Sequence, residues 1–395
     1  MGTVRLRAGH VQPVWAGHPW VFAQGIEEVI GAPGPGDVVS VVDAKGQFLG
    51  KGYWSPKSAI PVRILSRDSN ANLEGRELGE RIEAAAGWRK ALWNLPGEEC
   101  TGYRLVHAEG DRLAGLIVDV YDKVAVVQLL TVGMKRREAE IFAHVARVAG
   151  VQTVVEVPSQ RQQSIEGFEV QTRVVRGPDI DSLKFMERRF NFEIPFSVAQ
   201  KTGYYFDQRD NRQRVEQLAR GKRVLDAFAY VGAFSLAAAR GGATSVMALD
   251  KSAGAVAAGA AIAQKHGYGD TISFQVADVK KTFPQLHSQG ERFDMVIVDP
   301  PKLAPTARHL EQAKKAYRTL NASAIRLVEP GGILVSCSCS AAMNATAFTR
   351  IIGMAATDAK REVVLLAMGE QAPDHPNPAS FPEGRYLKCA FLQVR

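Results

Sequence analysis

The sequence predicts a multidomain α/β protein: a small N-terminal β module, a central α+β domain and a C-terminal doubly wound sheet. Three observations predict it. After Tyr205, short apolar β-rich runs alternate with helix-length segments. In the first 72 residues, β-branched runs are broken by Pro/Gly turns such as Gly31-Ala-Pro-Gly-Pro-Gly36. Finally, Met295-Val-Ile-Val-Asp-Pro-Pro-Lys302 reads as a strand buried on both faces that stops at an acid and two prolines, which cannot continue a ladder. Asp299 then stands at a strand's carboxyl end, the edge where open α/β sheets bind ligands.

A chain of 395 residues, 46% hydrophobic and 23% charged, is ordinary globular usage with room for two to three cores. The N-terminus has no apolar signal-peptide core, and the run Ala253 to Ala263 is too short to span a bilayer, so a cytoplasmic protein without membrane attachment is expected. Four cysteines (Cys100, Cys337, Cys339, Cys389) make no disulfide framework, and no CxxC pair or His cluster has metal spacing. A net charge of +8 favours a polyanionic partner.

The partition is residues 1–72, 73–189 and 190–395. Strands are expected at 38–42, 48–53 and 60–65, and a helix over 72–95 that stops before Pro96-Gly97. The central segment predicts strands at 115–120, 124–130, 153–157 and 168–175, with a helix at 136–148. Its Lys135-Arg-Arg137 and Arg188-Arg189 clusters are read as solvated charge ahead of a phosphate contact. In the C-terminal segment strands are expected at 223–228, 245–249, 273–276, 295–298 and 332–336, with helices at 234–240, 253–266 and 311–328. A closing hairpin follows at 362–368 and 388–394.

Asp226, Asp250, Asp278 and Asp299 end or follow the first four of these strands and would line one edge. An acid about twenty residues beyond the first strand suits ribose hydroxyls, and Asp278 could accept from an adenine amino group. A dinucleotide would need G-x-G-x-x-G at the first turn, but the loop from Asp226 through Phe228 to Gly232 offers a single glycine. The cofactor is therefore a nucleoside without a diphosphate, which S-adenosylmethionine (SAM) satisfies.

The fifth strand runs into Ser336-Cys-Ser-Cys-Ser340, whose interleaved hydroxyls suggest a segment leaving the core with a thiol at the same edge. Carbon 5 of a pyrimidine accepts a methyl group only after a thiolate adds to carbon 6, which requires a cysteine, a cation to ionise it and an acid to hold the base. One of the two cysteines Cys337 and Cys339, with Lys302 and Asp299, fits those roles.

Asp299-Pro-Pro-Lys302 with Ser338-Cys-Ser340, Gln200-Lys-Thr-Gly-Tyr-Tyr-Phe-Asp-Gln-Arg209, Asp374-His-Pro376, Phe381-Pro-Glu-Gly384 and Tyr386-Leu-Lys388 resembles the PUA-containing ribosomal RNA large-subunit methyltransferase I family. His18-Pro-Trp-Val-Phe22 and residues 46–55 are similar to that family's PUA barrel. The resemblance implies an N-terminal PUA-like β-barrel, a central α+β domain and a Rossmann-like class I methyltransferase sheet. It implies SAM-dependent formation of 5-methylcytosine in 23S ribosomal RNA, with Cys339 as nucleophile beside Asp299 and Lys302. The cofactor set is Asp226, Phe228, Gly232, Asp250, Asp278 and Asp299, with Asp207 and Arg209. Departures are Cys337, where an aromatic or aliphatic residue is usual, and Val231 and Ala233 in place of Thr and Gly.

Basic residues beyond Asp299 (Lys302, Arg308, Lys314, Lys315, Arg318) and the run from Arg209 to Arg223 could track an RNA backbone, with the target base flipped out. Two other readings stay open: methylation of another ribosomal RNA atom, such as a guanine nitrogen, and a non-catalytic RNA-binding assembly factor on this scaffold. The group that removes the carbon-5 proton is not identified, and a homodimer has no legible signature.

Overall fold

The computed structural model describes residues 2–159, 165–303 and 309–395. The chain forms two compact units, one of Met1–Phe192, Ala199–Phe206 and Pro373–Gly384, the other of Glu193–Val198, Asp207–Ala372 and Arg385–Arg395. Among the described residues no helix is long and apolar enough to cross a membrane.

The first unit opens with a six-stranded sheet in the order Trp20–Val21, Val62–Ser66, Phe48–Trp54, Val38–Val42, Gly2–Leu6, Ile26–Ile30. Gly2–Leu6, for which the sequence offered no turn signal, is internal: it pairs parallel to Val38–Val42 and antiparallel to Ile26–Ile30. Its period-two pattern sends Val4 and Leu6 into a core with Val39, Val41 and Val62.

The helix expected over 72–95 spans Gly75–Trp93 and ends at Asn94 in the left-handed region, φ 50°. A five-stranded sheet follows, in the order Arg173–Arg176, Thr153–Glu156, Val124–Leu129, Leu116–Tyr121, Gly102–His107. Two expectations are corrected here. The strand at 168–175 is confined to Arg173–Arg176, and the helix at 136–148 starts only at Glu138, after a separate turn at Val132–Lys135. Arg137 breaks the two apart (φ −108°, ψ 17°), where its guanidinium pairs with Glu74 and covers the Tyr53 ring at 3.9 Å. Arg136 pairs with Asp37 at 2.6 Å and Lys135 with Glu156 at 2.7 Å, so carboxylates neutralise this cluster. Arg188 and Arg189, both with positive φ (49° and 67°), form the tip of the hairpin Ser182–Glu187/Phe190–Pro195.

In the second unit the elements run α1 (Arg209–Leu218), β1 (Arg223–Ala227), α2 (Ala233–Arg240), β2 (Ser245–Asp250), α3 (Ala253–Lys265), β3 (Ile272–Val276), α4 (Val279–Ser288) and β4 (Phe293–Val298). They continue with α5 (Leu310–Leu327), β5 (Val328–Ser338), α6 (Ala345–Asp358), β6 (Val363–Gly369) and β7 (Lys388–Val394). The sheet order is β3-β2-β1-β4-β5-β7-β6, parallel through β5, with β7 antiparallel to both β5 and β6. This is the doubly wound sheet expected, closed by the expected hairpin. Helices α1, α4 and α6 were not anticipated; α6 is announced by Asn344, whose side chain accepts from Ala347 N at its first turn.

The Asp374-His-Pro376 motif belongs to a buried polar network of the first unit. Arg89 and Asp111, both with fully buried side chains, form a two-pronged ion pair at 2.8 Å, and Arg89 also donates to Asp374 O at 2.8 Å. Asp374 Oδ2 in turn accepts from Arg104 N at 2.9 Å, and Arg104 makes a second two-pronged pair with Asp119 at 2.8 Å. Removing one member strands a buried charge. Arg89→Met is expected to cost about 3–5 kcal/mol in urea unfolding, and adding Asp111→Leu to restore most of it; an Arg89→Met protein as stable as the parent would show that the pair is not structural.

Candidate active site

The carboxyl edge of the second unit's sheet is built first by β1 and β2. Between β1 and α2 the backbone turns through three left-handed residues, Phe228 (φ 65°), Tyr230 (φ 53°) and Gly232 (φ 75°). Glycine takes this conformation freely, whereas at the other two it costs roughly 1–2 kcal/mol each. The neighbouring strand holds the strained turn: Tyr230 N donates to Asp250 Oδ2 and Ala229 N to Leu249 O, both at 2.9 Å. Asp250 Oδ1 also accepts from Ser252 N at 2.8 Å. Strain of this kind collects at functional sites because surrounding structure must be spent to keep it.

Asp226, 1% exposed, accepts from Ser235 Oγ at 2.6 Å through Oδ2, while its Oδ1 is buried with no hydrogen-bond partner among the described residues. Burial pushes its carboxyl up to about 6, against the Ser235 hydrogen bonds and with help from Asp250. Asp278 is exposed and caps α4, its Oδ1 accepting from Lys280 N at 2.9 Å.

Asp299 emerges next to β1, its N–H 3.4 Å from Ala227 O, because the β1–β4 register pairs Ala227 with Val298. Gln208, 2% exposed, donates through Nε2 to Asp299 Oδ2 at 3.1 Å and is itself oriented by Asn211 at 2.6 Å. Gln208 was missed as a site residue, although it lies inside the motif that supplied Asp207 and Arg209. Asp207 accepts from Tyr386 Oη at 2.7 Å, and Arg209 opens α1 as a buried residue. Lys302 is exposed beyond Pro301.

Ser336-Cys-Ser-Cys-Ser340 does not leave the core as expected. Ser336, Cys337, Ser338 and Ser340 are all buried, and Ser336 Oγ donates to Asn321 Oδ1 at 2.6 Å. Cys339, the first residue past β5, alone reaches partial exposure. Cys337 packs on its register partner Cys389 with sulfurs 3.2 Å apart, and burial together with that second thiol pushes its own thiol well above the usual range. Lys388, 3% exposed on β7, donates to Ser340 O and Tyr386 O, both at 2.7 Å, and burial pulls its ammonium down to about 8.

The basic surface is smaller than counted from the sequence. Arg209 and Arg212 are buried, Lys314 pairs with Glu311 and Arg318 with Asp358, both at 2.6 Å, while Lys302 and Lys315 stay exposed. Arg308 lies outside the described residues. Among the described residues no cluster of His, Cys, Asp or Glu could hold a metal ion.

A family model for a PUA-like domain matches residues 4–67, and one for an S-adenosylmethionine-dependent methyltransferase matches residues 114–382. The chain is 36% identical over 395 residues to the ribosomal RNA large subunit methyltransferase I of Shewanella denitrificans and 33% identical over 393 residues to that of Pseudoalteromonas translucida, covering 99% of both chains in each case. The chain belongs to the ribosomal RNA large subunit methyltransferase I family. Among solved structures it shares its fold with a Streptococcus mutans protein provisionally described as a SAM-dependent methyltransferase, at TM-score 0.86 and 20% identity over all of both chains. A second protein, provisionally described as a methyltransferase and solved in complex with SAH, matches in fold at TM-score 0.86 and 19% identity over all of both chains.

SAM is accordingly the cofactor, and it supplies a methyl group on a sulfonium. The edge fits such a molecule: Asp226 Oδ1 is a buried acceptor still in need of a donor, set behind a strained, glycine-ended turn. Raising the Asp226 carboxyl from 3.8 to about 6 means that the folded protein holds this proton more tightly than the unfolded chain. Stability therefore falls as pH rises from about 4 to 6 and stays lowered above that, by about 3 kcal/mol at most. Asp226→Asn is expected to raise the unfolding midpoint of the ligand-free protein at pH 7.5 while weakening SAM binding in calorimetry; a midpoint unchanged or lowered would contradict the burial argument.

Proposed function

We propose that this protein methylates carbon 5 of a cytosine in large-subunit (23S) ribosomal RNA through a covalent adduct on Cys339. The observation that carries the reading is the contrast among three neighbouring thiols: Cys337 and Cys389 are sealed against each other, while Cys339 stands partly exposed one strand from Asp299. Large-subunit ribosomal RNA as substrate is supported by the names of the full-length relatives and by the match to a PUA-like domain.

The chemistry divides among this chain's residues. Cys339 Sγ forms a bond to carbon 6 of the ring, and the pair from the carbon 5–carbon 6 double bond moves onto carbon 5, which takes the methyl group. Loss of the carbon-5 proton then restores the double bond as the sulfur–carbon 6 bond breaks and the thiolate returns. Asp299, steadied by Gln208, holds the base edge while charge develops on the ring, and Lys302 adds a positive field at the mouth. Asp226, Asp250 and Asp278 take the polar groups of the cofactor, Phe228 and Gly232 shape the turn against it, and Asp207 and Arg209 support the same pocket. A base in folded RNA must be flipped out to reach Cys339, with the N-terminal β module docking the surrounding RNA.

RNA carrying 5-fluorocytosine at the target cannot lose its carbon-5 substituent, so the adduct is expected to survive denaturing electrophoresis with the parent and with Cys337→Ala, and to be absent with Cys339→Ala. Methyl transfer by Cys339→Ala is expected to fall about 10³-fold or more. Full activity of Cys339→Ala would transfer the assignment to another atom of the RNA, and absence of any methyl transfer or SAM binding would leave a binding factor. RNA affinity is expected to fall as salt rises; a salt-independent affinity would remove the backbone contacts from the account.

A further inference from the structure

Lys388 has no part in the chemistry above, yet it is a buried cation at the same edge of the second unit. Lys388 sits at the start of β7, opposite Ser338 in the β5–β7 register, with its side chain inside the protein. Its ammonium donates to two backbone carbonyls, Ser340 O and Tyr386 O at 2.7 Å, which uses two of its three N–H bonds. Among the described residues no carboxylate pairs with it. An ammonium taken out of water without a counter-ion is costly, and two neutral carbonyls offset that cost only in part. Ser340 directly follows Cys339, and its carbonyl also accepts from Met343 N at 3.0 Å, so the carbonyl next to the thiol's residue is held by two donors.

We infer that the Lys388 ammonium is the counter-charge of the Cys339 thiolate: a positioning residue that keeps the nucleophile ionised and fixes the turn that presents it. The inference rests on Cys339 as the nucleophile. Titratable groups reach this spot from several elements packed around it, the Tyr317 hydroxyl and the Cys337 thiol being held neutral by burial. Asp299 and Lys302 come from the exit of β4, Tyr317 from α5, Cys337 from β5 and Lys388 from β7. Asp299 opposes a thiolate; Lys302 is exposed, so water screens it. Lys388 is the buried cation of the set, and a thiolate at Cys339 is what raises its proton affinity against the burial that lowers it. The thiol proton leaves to solvent. The pairing also accounts for the motif's spacing: the Tyr386 hydroxyl is held by Asp207, its carbonyl holds the ammonium, Leu387 is buried between, and Lys388 reaches the end of β5.

The test reads thiol acidity and needs no RNA. Cys339 is alkylated with iodoacetamide across pH 5 to 10 and its modification followed by peptide mass spectrometry, the other three cysteines being buried. In the parent protein the midpoint of alkylation is expected a full pH unit or more below the value of about 8.5 for a free cysteine. Lys388→Met is expected to raise it by at least one unit, lowering alkylation at pH 7 about tenfold, with SAM binding retained as the check on folding. Lys302→Met is expected to move it far less. A parent midpoint at or above 8.5 would overturn the inference without any variant, and so would a folded Lys388→Met protein with the parent's profile. Should Cys339→Ala keep its methyl transfer, the functional reading falls while the alkylation profile still answers for Lys388.

Discussion

The constraint on which the catalytic unit depends is the parallel ladder β2-β1-β4-β5. Parallel pairing sends the carboxyl ends of all four strands to one edge, and register fixes which residues arrive there together: Ala227 opposite Leu249 and Val298, Val298 opposite Ser336. Asp250, the Phe228–Gly232 turn and Asp299 begin directly beyond those pairs, and Cys339 follows three residues after Ser336, just past the end of β5. A one-residue slip of β5 would reverse every side chain's face and set Ser336 or Ser338 opposite Cys389 in place of Cys337; the β-branched and aliphatic residues packed in the sheet interior oppose it.

Much of this edge was legible in the sequence because strand ends announce themselves. Pro300-Pro301 stops β4, the acids of β1 and β2 interrupt apolar runs, and Gly331-Gly332 sits within β5. What stayed hidden was of two kinds. Gly2–Leu6 and α4 have little local signal, the first because its partners lie far along the chain, the second because Pro284 inside the helix reads as a breaker. The supporting shell was hidden for another reason: Gln208 and Lys388 act through contacts with Asp299 and with Ser340, 91 and 48 residues away, and no spacing rule reports these. The Ser-Cys-Ser-Cys-Ser run misled in an instructive way, since its hydroxyls look exposed but are satisfied inside the protein, Ser336 by Asn321 and Ser340 near Tyr317.

The charge count misled similarly. A surplus of basic residues suggested broad RNA-tracking surfaces, but several arginines are internal struts: Arg89 and Arg104 in the first unit, Arg209 and Arg212 in the second. Guanidinium suits this use because one side chain can satisfy several buried acceptors in a fixed plane. The count of arginines thus overstated the individual cations a polyanion would meet, although the net surplus survives because acids such as Asp111, Asp119 and Asp226 are buried as well.

The chain does not visit its two units one after the other. The first unit is completed by residues 199–206 and 373–384, and it needs them: Thr202 caps Asp119 at 2.5 Å and Asp374 receives Arg104 and Arg89. No single cut in the gene separates the two units, since every such cut takes from one of them a strand of its own polar interior. Exchange of one whole unit by a single crossover is closed to this architecture. Its halves are obliged to be inherited, and to change, together.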